Sequence, residues 1–332
     1  MQFDTAFTRD IGCDLPIVVA PLFLISNIDM VVAGSESGAL GSFPALNVRP
    51  VEKLREWLQE IKRRTDKPFA VNLIANRTNI YYKKQMEMCL DEKVPMIIAS
   101  LGNPTELIEN AHQSGTKVYC DVIRHEHAQK AVDAGADGLI AVSGGAGGHG
   151  GFISSMVWIP YLRKQFSLPV LAAGNIATGE GMLAAMALGA SGVYMGTRFL
   201  ASEECPISEN YKSAIIHARP QDIVTTYKLD GVAANVINTP YVQRKGTDIS
   251  WIEKKLFRSR KLRQLLFGLR SLRSIGVLSE AIKKPTWKEL WGAGQVAGLI
   301  DEVAPMQDIV ERILQEYEEA VQKLPHAAQL KK

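Results

Sequence analysis

The chain is predicted to fold as a (β/α)8 barrel carrying an inserted, mostly helical cap. Three features predict it: eight short apolar runs before residue 200, an amphipathic segment after each, and a halt in that alternation near residue 205. The runs are PIVVA (16–20), GALGSF (38–43), PFAVNLI (68–74), PMIIAS (95–100), KVYCDVI (117–123), GLIAVS (138–143), PVLAAG (169–174) and SGVYMG (191–196). They are rich in Val, Ile, Ala and Leu, as strands buried on both faces should be. Between them lie helical patterns such as VEKLREWLQEIKRR (51–64) and EGMLAAMALGA (180–190). Strict alternation implies parallel strands joined by right-handed crossovers, and eight units match a closed barrel. The rival is a doubly wound sheet, which usually has fewer strands and an early G-x-G-x-x-G that this chain lacks.

After residue 205 the pattern is mostly helical, with weak strand signals at DIVTTY (222–227) and ANVINTPYV (234–242). MQDIVERILQEYEEAVQKL (306–324) is a clean amphipathic helix behind Pro305, suited to be the outer helix of the eighth unit. The expected division is therefore a barrel from 1–210 and 291–332 and a cap from 211–290. The tail LPHAAQLKK is expected to fray. With 332 residues, 46% hydrophobic and 22% charged, the chain can bury a sizeable core.

A net charge of +3 gives no nucleic-acid signature, and no base-reading motif is present. Cys13, Cys89, Cys120 and Cys205 show neither a C-x-x-C pair nor metal spacing, so they read as reduced, mostly buried thiols of a cytoplasmic protein. The N-terminus lacks an apolar signal core, and no run of about 18 apolar residues suggests a membrane span. His125 and His127 in RHEHA lack a third ligand and read as surface residues opening a helix, so no metal is assigned.

Barrel active sites lie at the C-terminal ends of the strands. The sixth strand runs into AVSGGAGGHGGF (141–152), which places His149 above the mouth amid six glycines. Glycine permits positive φ and close backbone approach, and it leaves N–H groups open to a flat or anionic ligand. The bland alternative is a flexible turn with an incidental histidine. The seventh strand ends at Gly174 and Asn175, and the eighth at Met195, Gly196 and Thr197. Loops in those two places often bind phosphate through backbone N–H groups and a helix N-terminus. Arg198 could add a contact or form a structural salt bridge. Asn72 could bond a ring edge or cap a turn, and Pro21 stands at the rim of the first strand. Together these loops suit a phosphate-anchored planar cofactor, FMN.

AGGHGG, AAGNIATG and LGASGVYMGTRFLASEE, with GAGQVAGLIDEVAP (292–305), resemble the nitronate monooxygenase family, formerly the 2-nitropropane dioxygenases. The wider superfamily includes FMN-dependent enoyl-ACP reductases and NADH:quinone reductases. The resemblance implies a capped (β/α)8 barrel with FMN held non-covalently at its mouth. It puts the catalytic histidine at His149 and flavin contacts at Asn72, Gly147, Gly148, Gly174 and Asn175. The remaining phosphate contacts fall on Met195, Gly196 and Thr197. Several positions depart from the pattern. The motif A-Q-G-x-E-A-G-G-H has Val142 and Gly145 at its Gln and Glu. Asp121 ends the fifth strand where Lys or Gln is usual, and Asn175 replaces the second glycine of AAGGI.

The implied reaction is oxidation of alkyl nitronates by O2 through a flavin semiquinone, with His149 as base or positioning group. The alternative is an NAD(P)H-dependent reductase of an enoyl thioester or quinone, and the outside option is a flavin-free barrel binding a phosphorylated metabolite. Expected partners are a small-molecule substrate with O2 or NAD(P)H, and a homodimer stays open. KKLFRSRKLRQLLFGLRSLRS (254–274) reads first as the solvated basic face of a cap helix. Its second reading is an electropositive rim for an acidic partner such as acyl carrier protein, or for a phosphorylated cosubstrate. Trp251, Trp287 and Trp291 could line the entrance or pack the cap.

Overall fold

The computed structural model describes residues 3–75, 79–228, 232–248 and 290–327. Each of the eight apolar runs forms a strand: β1 (Ile17–Val19), β2 (Gly41–Pro44), β3 (Phe69–Ile74), β4 (Met96–Ser100), β5 (Lys117–Val122), β6 (Gly138–Val142), β7 (Val170–Ala173) and β8 (Gly192–Met195). All pair in parallel with their sequence neighbours, and β8 returns to pair with β1. A parallel bridge between Val18 and Leu40 joins β1 to β2, with Val19 N donating to Leu40 O at 3.0 Å and Leu40 N to Ile17 O at 2.8 Å. The ring of strands is therefore closed, a (β/α)8 barrel.

Side chains alternate between two cores. Val18, Leu40, Ala70, Met96, Ile98, Tyr119, Ile140, Leu171 and Ala173 fill the barrel itself. Their neighbours Ile17, Val19, Val71, Ile97, Val118, Leu139 and Val193 face the surrounding helices. The short helix Ala6–Ile11, capped by Thr5, plugs the N-terminal end. Phe7 meets the Tyr119 ring edge-on at 5.7 Å, and the Tyr119 hydroxyl donates to Asp10 at 3.0 Å. Gly138 makes room for that ring, because a Cβ there would lie 2.1 Å from Tyr119 Cε1.

The amphipathic segment at the C-terminus forms the helix Met306–Ala327 and lies between the helices Ile28–Glu36 and Gly179–Ala187. Its approach to Gly179 is backbone to backbone, since a Cβ on Gly179 would fall 2.1 Å from Tyr317 N. Between β8 and this helix the chain makes a long excursion. Helix Glu209–His217 leads to β9 (Ile223–Thr226) and β10 (Ala234–Ile237), an antiparallel pair, then to helix Pro240–Lys245. Both weak strand signals thus mark strands. The basic run 254–274, Trp251 and Trp287 lie outside the described residues.

The Gly138–Tyr119 contact yields a stability test. Gly138→Ala overpacks the barrel floor and is expected to cost about 1–3 kcal/mol, read as a lower urea midpoint at unchanged m-value.

Candidate active site

The glycine-rich loop after β6 is held from three directions. The Asn175 side-chain amide donates to Gly144 O, Gln295 N donates to Gly145 O at 3.1 Å, and Asn235 Nδ2 donates to Ala146 O at 2.7 Å. Three successive carbonyls are thereby satisfied by three segments distant in sequence. The loop then doubles back over β6: a Cβ on Gly151 would lie 2.2 Å from Val142 O. Beyond it, Gly148–His149 pairs antiparallel with β10, His149 opposite Ala234 and Gly148 opposite Asn235. His149 is exposed, its backbone fixed by a strand of the excursion.

GAGQ (292–295) closes over this loop. A Cβ on Gly294 would stand 2.7 Å from Gly145 O, and one on Gly147 would stand 2.8 Å from Ala293 C. Two glycine-bearing stretches therefore touch through their backbones, with Thr197 Oγ1 accepting from Gly294 N at 3.0 Å. This contact accounts physically for the C-terminal GAGQ motif. Two departures from the family pattern also meet here. Gly145 has φ +87°, and a Cβ on it would lie 2.2 Å from Asn175 Oδ1. Asn175 fills the space a side chain at 145 would need.

The turns after β7 and β8 lie side by side, since Ala173 and Tyr194 are ladder partners. Gly174 and Asn175 both take left-handed backbones, φ +89° and +64°. Among the described residues, no acceptor faces the amide N–H of Asn175, Gly196 or Thr197. Neighbouring amides without acceptors, flanked by small residues at the strand ends, form a cradle that can take a phosphate. The helix N-terminus beside them is already engaged: Gly179 N donates to Glu316 Oε2 at 2.8 Å and Gly181 N to Thr178 Oγ1 at 3.2 Å. Buried Arg198 donates to the backbone O of the exposed Glu302 at 3.3 Å and stands 3.7 Å from its carboxylate, so it forms a structural ion pair.

Across the mouth, inward positions near the C-terminal ends of β3, β4 and β5 are Asn72, Ser100 and Asp121. Asn72 Nδ2 donates to Ile98 O at 3.0 Å and to Ser100 Oγ at 2.6 Å, and Ser100 Oγ donates to Asp121 Oδ2 at 2.5 Å. Asn72 thus points its amide N–H toward the neighbouring strand and caps no turn. Asp121 Oδ1 is buried and meets no hydrogen-bond partner. Burial pushes the Asp121 carboxyl up to about 6, against the bond from Ser100, which lowers it. The one signal of Ser100 in the sequence is a polar residue ending an apolar run.

A pocket of about 200 Å³ opens between the loop and the excursion, lined in part by Gly144, Gly151, Phe152, Thr225, Asn235 and Gln295. It shares no residue with the top layer of the barrel, and His149 is not among its lining residues. Pro21 stands half-buried at the rim. Trp291 stacks on Tyr211 at 5.1 Å within the excursion. All four cysteines are buried and unpaired. His125 opens the helix His125–Asp133 and stacks on Phe166. Among the described residues, no group of three His, Cys, Asp or Glu could hold a metal, and no helix is long and apolar enough to cross a membrane.

Comparison with known proteins adds a family. Residues 74–316 match the nitronate monooxygenase family. The chain is 30% identical to a nitronate monooxygenase of Pseudomonas aeruginosa over 69% of this chain and 78% of that protein. It is 26% identical to a (3aS,4S,5R,7aS)-5-hydroxy-7a-methyl-1-oxo-octahydro-1H-indene-4-carboxyl-CoA dehydrogenase of Rhodococcus jostii, over 93% of this chain and 94% of that one. Among solved structures, FabK from Thermotoga maritima superimposes with a TM-score of 0.83 at 33% identity, covering 98% of this chain and all of that one.

The Gly145–Asn175 packing predicts a non-additive pair. Gly145→Ala alone is expected to lower thermal stability through both the clash and the left-handed backbone. Adding Asn175→Gly is expected to recover part of the loss, with a coupling of about 0.5–3 kcal/mol in a double-mutant cycle.

Proposed function

The chain belongs to the nitronate monooxygenase family of FMN-dependent oxidoreductases, and from that premise we propose that it oxidises alkyl nitronates at the barrel mouth. The observation that carries this reading is the pair of adjoining rim turns whose amides meet no acceptor, set across the mouth from the inward-facing Asn72. The amides of Asn175, Gly196 and Thr197 would hold the FMN phosphate, with Gly174 and Met195 shaping the turns. Asn72 and Pro21 would border the ring, and Gly147 and Gly148 would let it approach the loop backbone. FMN, when bound, supplies the electron-accepting ring.

The chain's own residues supply position and proton handling. The pinned carbonyls of Gly144, Gly145 and Ala146 keep the loop from collapsing into the mouth. Pairing of His149 with Ala234 fixes where the imidazole starts, so it can take or orient a proton of the substrate. Strand β10 does this positioning.

His149→Ala is expected to retain FMN, seen as an unchanged visible spectrum, while oxidation of propionate 3-nitronate under air falls by about 10²–10⁴-fold. Full activity with FMN bound would exclude the role.

A second reading, NAD(P)H-linked redox chemistry on an acyl thioester, draws on two observations. The carboxyl-CoA dehydrogenase aligns with nearly the whole chain, whereas the Pseudomonas monooxygenase aligns with 69% of it. Val142 and Gly145 also lack the polar groups of the monooxygenase motif. Anaerobic mixing of the FMN-loaded protein with NADH or NADPH separates the readings. The nitronate reading expects the flavin to stay oxidised, and rapid bleaching would favour the thioester reading.

A further inference from the structure

We propose that Asp121, held by Ser100 and Asn72, is a positioning residue that sets the flavin's reduction potential by placing an ionisable acid in the barrel layer facing the ring. The inference rests on the reading that FMN lies across the mouth, and it assigns a task to a residue which that reading leaves unused.

The geometry argues it in three steps. First, the side chain faces inward. Tyr119, two residues earlier on β5, lies in the barrel interior with Ile98 and Ile140, and strand alternation sends Asp121 the same way at the next level up. Second, its hydrogen bonds run in one direction. Asn72 donates to Ser100 and Ser100 to Asp121 Oδ2, so the line ends on a carboxylate oxygen, and Oδ1 beside it stays buried without a partner. A buried polar atom left unpaired is costly unless something else meets it. Third, the strands bearing this line lie across the ring of eight from β7 and β8. A cofactor whose phosphate sits on the turns after those two strands must extend its ring toward β3, β4 and β5.

Among the described residues no cation offsets the carboxyl. Ser100 on β4 and Asn72 on β3 are neutral, and β6 presents Ile140 and Val142. The titratable groups that feel its charge are Tyr194 on β8 and Cys120 on its own strand. Burial is the first cause raising both, with the Asp121 charge adding to it. Both are therefore neutral while the carboxyl titrates. Below about pH 6 Asp121 is uncharged, and above it the carboxylate opposes adding electrons to a nearby ring. The reduced state is thereby disfavoured as pH rises through that value, over and above the flavin's own proton uptake.

The experiment compares FMN-loaded wild type and Asp121→Asn by anaerobic potential titration from pH 5 to pH 8. At pH 5 the two potentials are expected to coincide. At pH 8 the variant is expected to favour the reduced state at least tenfold, about 30 mV for a two-electron couple. Ser100→Ala probes the same line without touching the carboxyl. Losing that bond raises the pH at which Asp121 ionises, so this variant should exceed wild type just above pH 6 and match it at pH 5. Potentials that coincide at every pH, or differ by a constant at every pH, overturn the inference while the FMN site stands. Wild-type protein that fails to retain FMN overturns the inference and the reading beneath it together.

Discussion

The site depends on the tethering of three consecutive carbonyls, those of Gly144, Gly145 and Ala146. A loop this rich in glycine loses much conformational entropy on ordering, and its glycines bring no side chains to offset it. The compensation comes from outside: an amide from the turn after β7, a backbone N–H from the C-terminal GAGQ stretch and an amide from β10. Each tether comes from a different part of the chain, so the loop takes its shape only after barrel, excursion and C-terminal return have all formed. The glycines are needed because backbones, with no side chains between them, make these contacts.

The barrel interior shows a gradient along its axis. At the floor Phe7, Tyr119 and their neighbours pack tightly around the N-terminal helix, closing that end. At the mouth the same inward positions carry Asn72, Ser100 and Asp121, which bond to one another across three strands. Stability and chemistry occupy opposite ends of one fold, as is usual for this architecture. The polar layer tolerates burial because Asn72, Ser100 and Asp121 bond to one another, and the atom left over, Asp121 Oδ1, belongs to an acid whose ionisation burial already opposes.

Much of this was legible in the sequence. Strands buried on both faces leave continuous apolar runs, so PIVVA, PMIIAS and PVLAAG announced β1, β4 and β7 directly. The final helix announced itself through its amphipathic period. The placement of β9 and β10 was faintly marked, because strands of four residues in a small antiparallel sheet leave only a short pattern. Two properties of the site were hidden because they are relations between distant residues. Gly145 and Asn175 look like unrelated departures until their backbones are brought together, and Ser100 gains meaning only from standing between Asn72 and Asp121. Arg198 was open to a phosphate contact or a structural salt bridge. The partners that decide for the structural role, Glu302 for Arg198 and Glu316 for the helix start after β7, lie more than a hundred residues away in the chain.

The split of the eighth unit has a consequence for assembly. Its strand ends at Met195, and the helix that completes it begins at Met306, on the far side of the whole excursion. During synthesis, then, seven strand–helix units and an eighth strand exist before the last staves of the outer wall emerge. Until they do, the neighbouring helices Ile28–Glu36 and Gly179–Ala187 keep an uncovered apolar seam between them. Sealing that seam is a long-range event, slow by its chain separation, and like the closure of β8 onto β1 it joins distant parts of the chain.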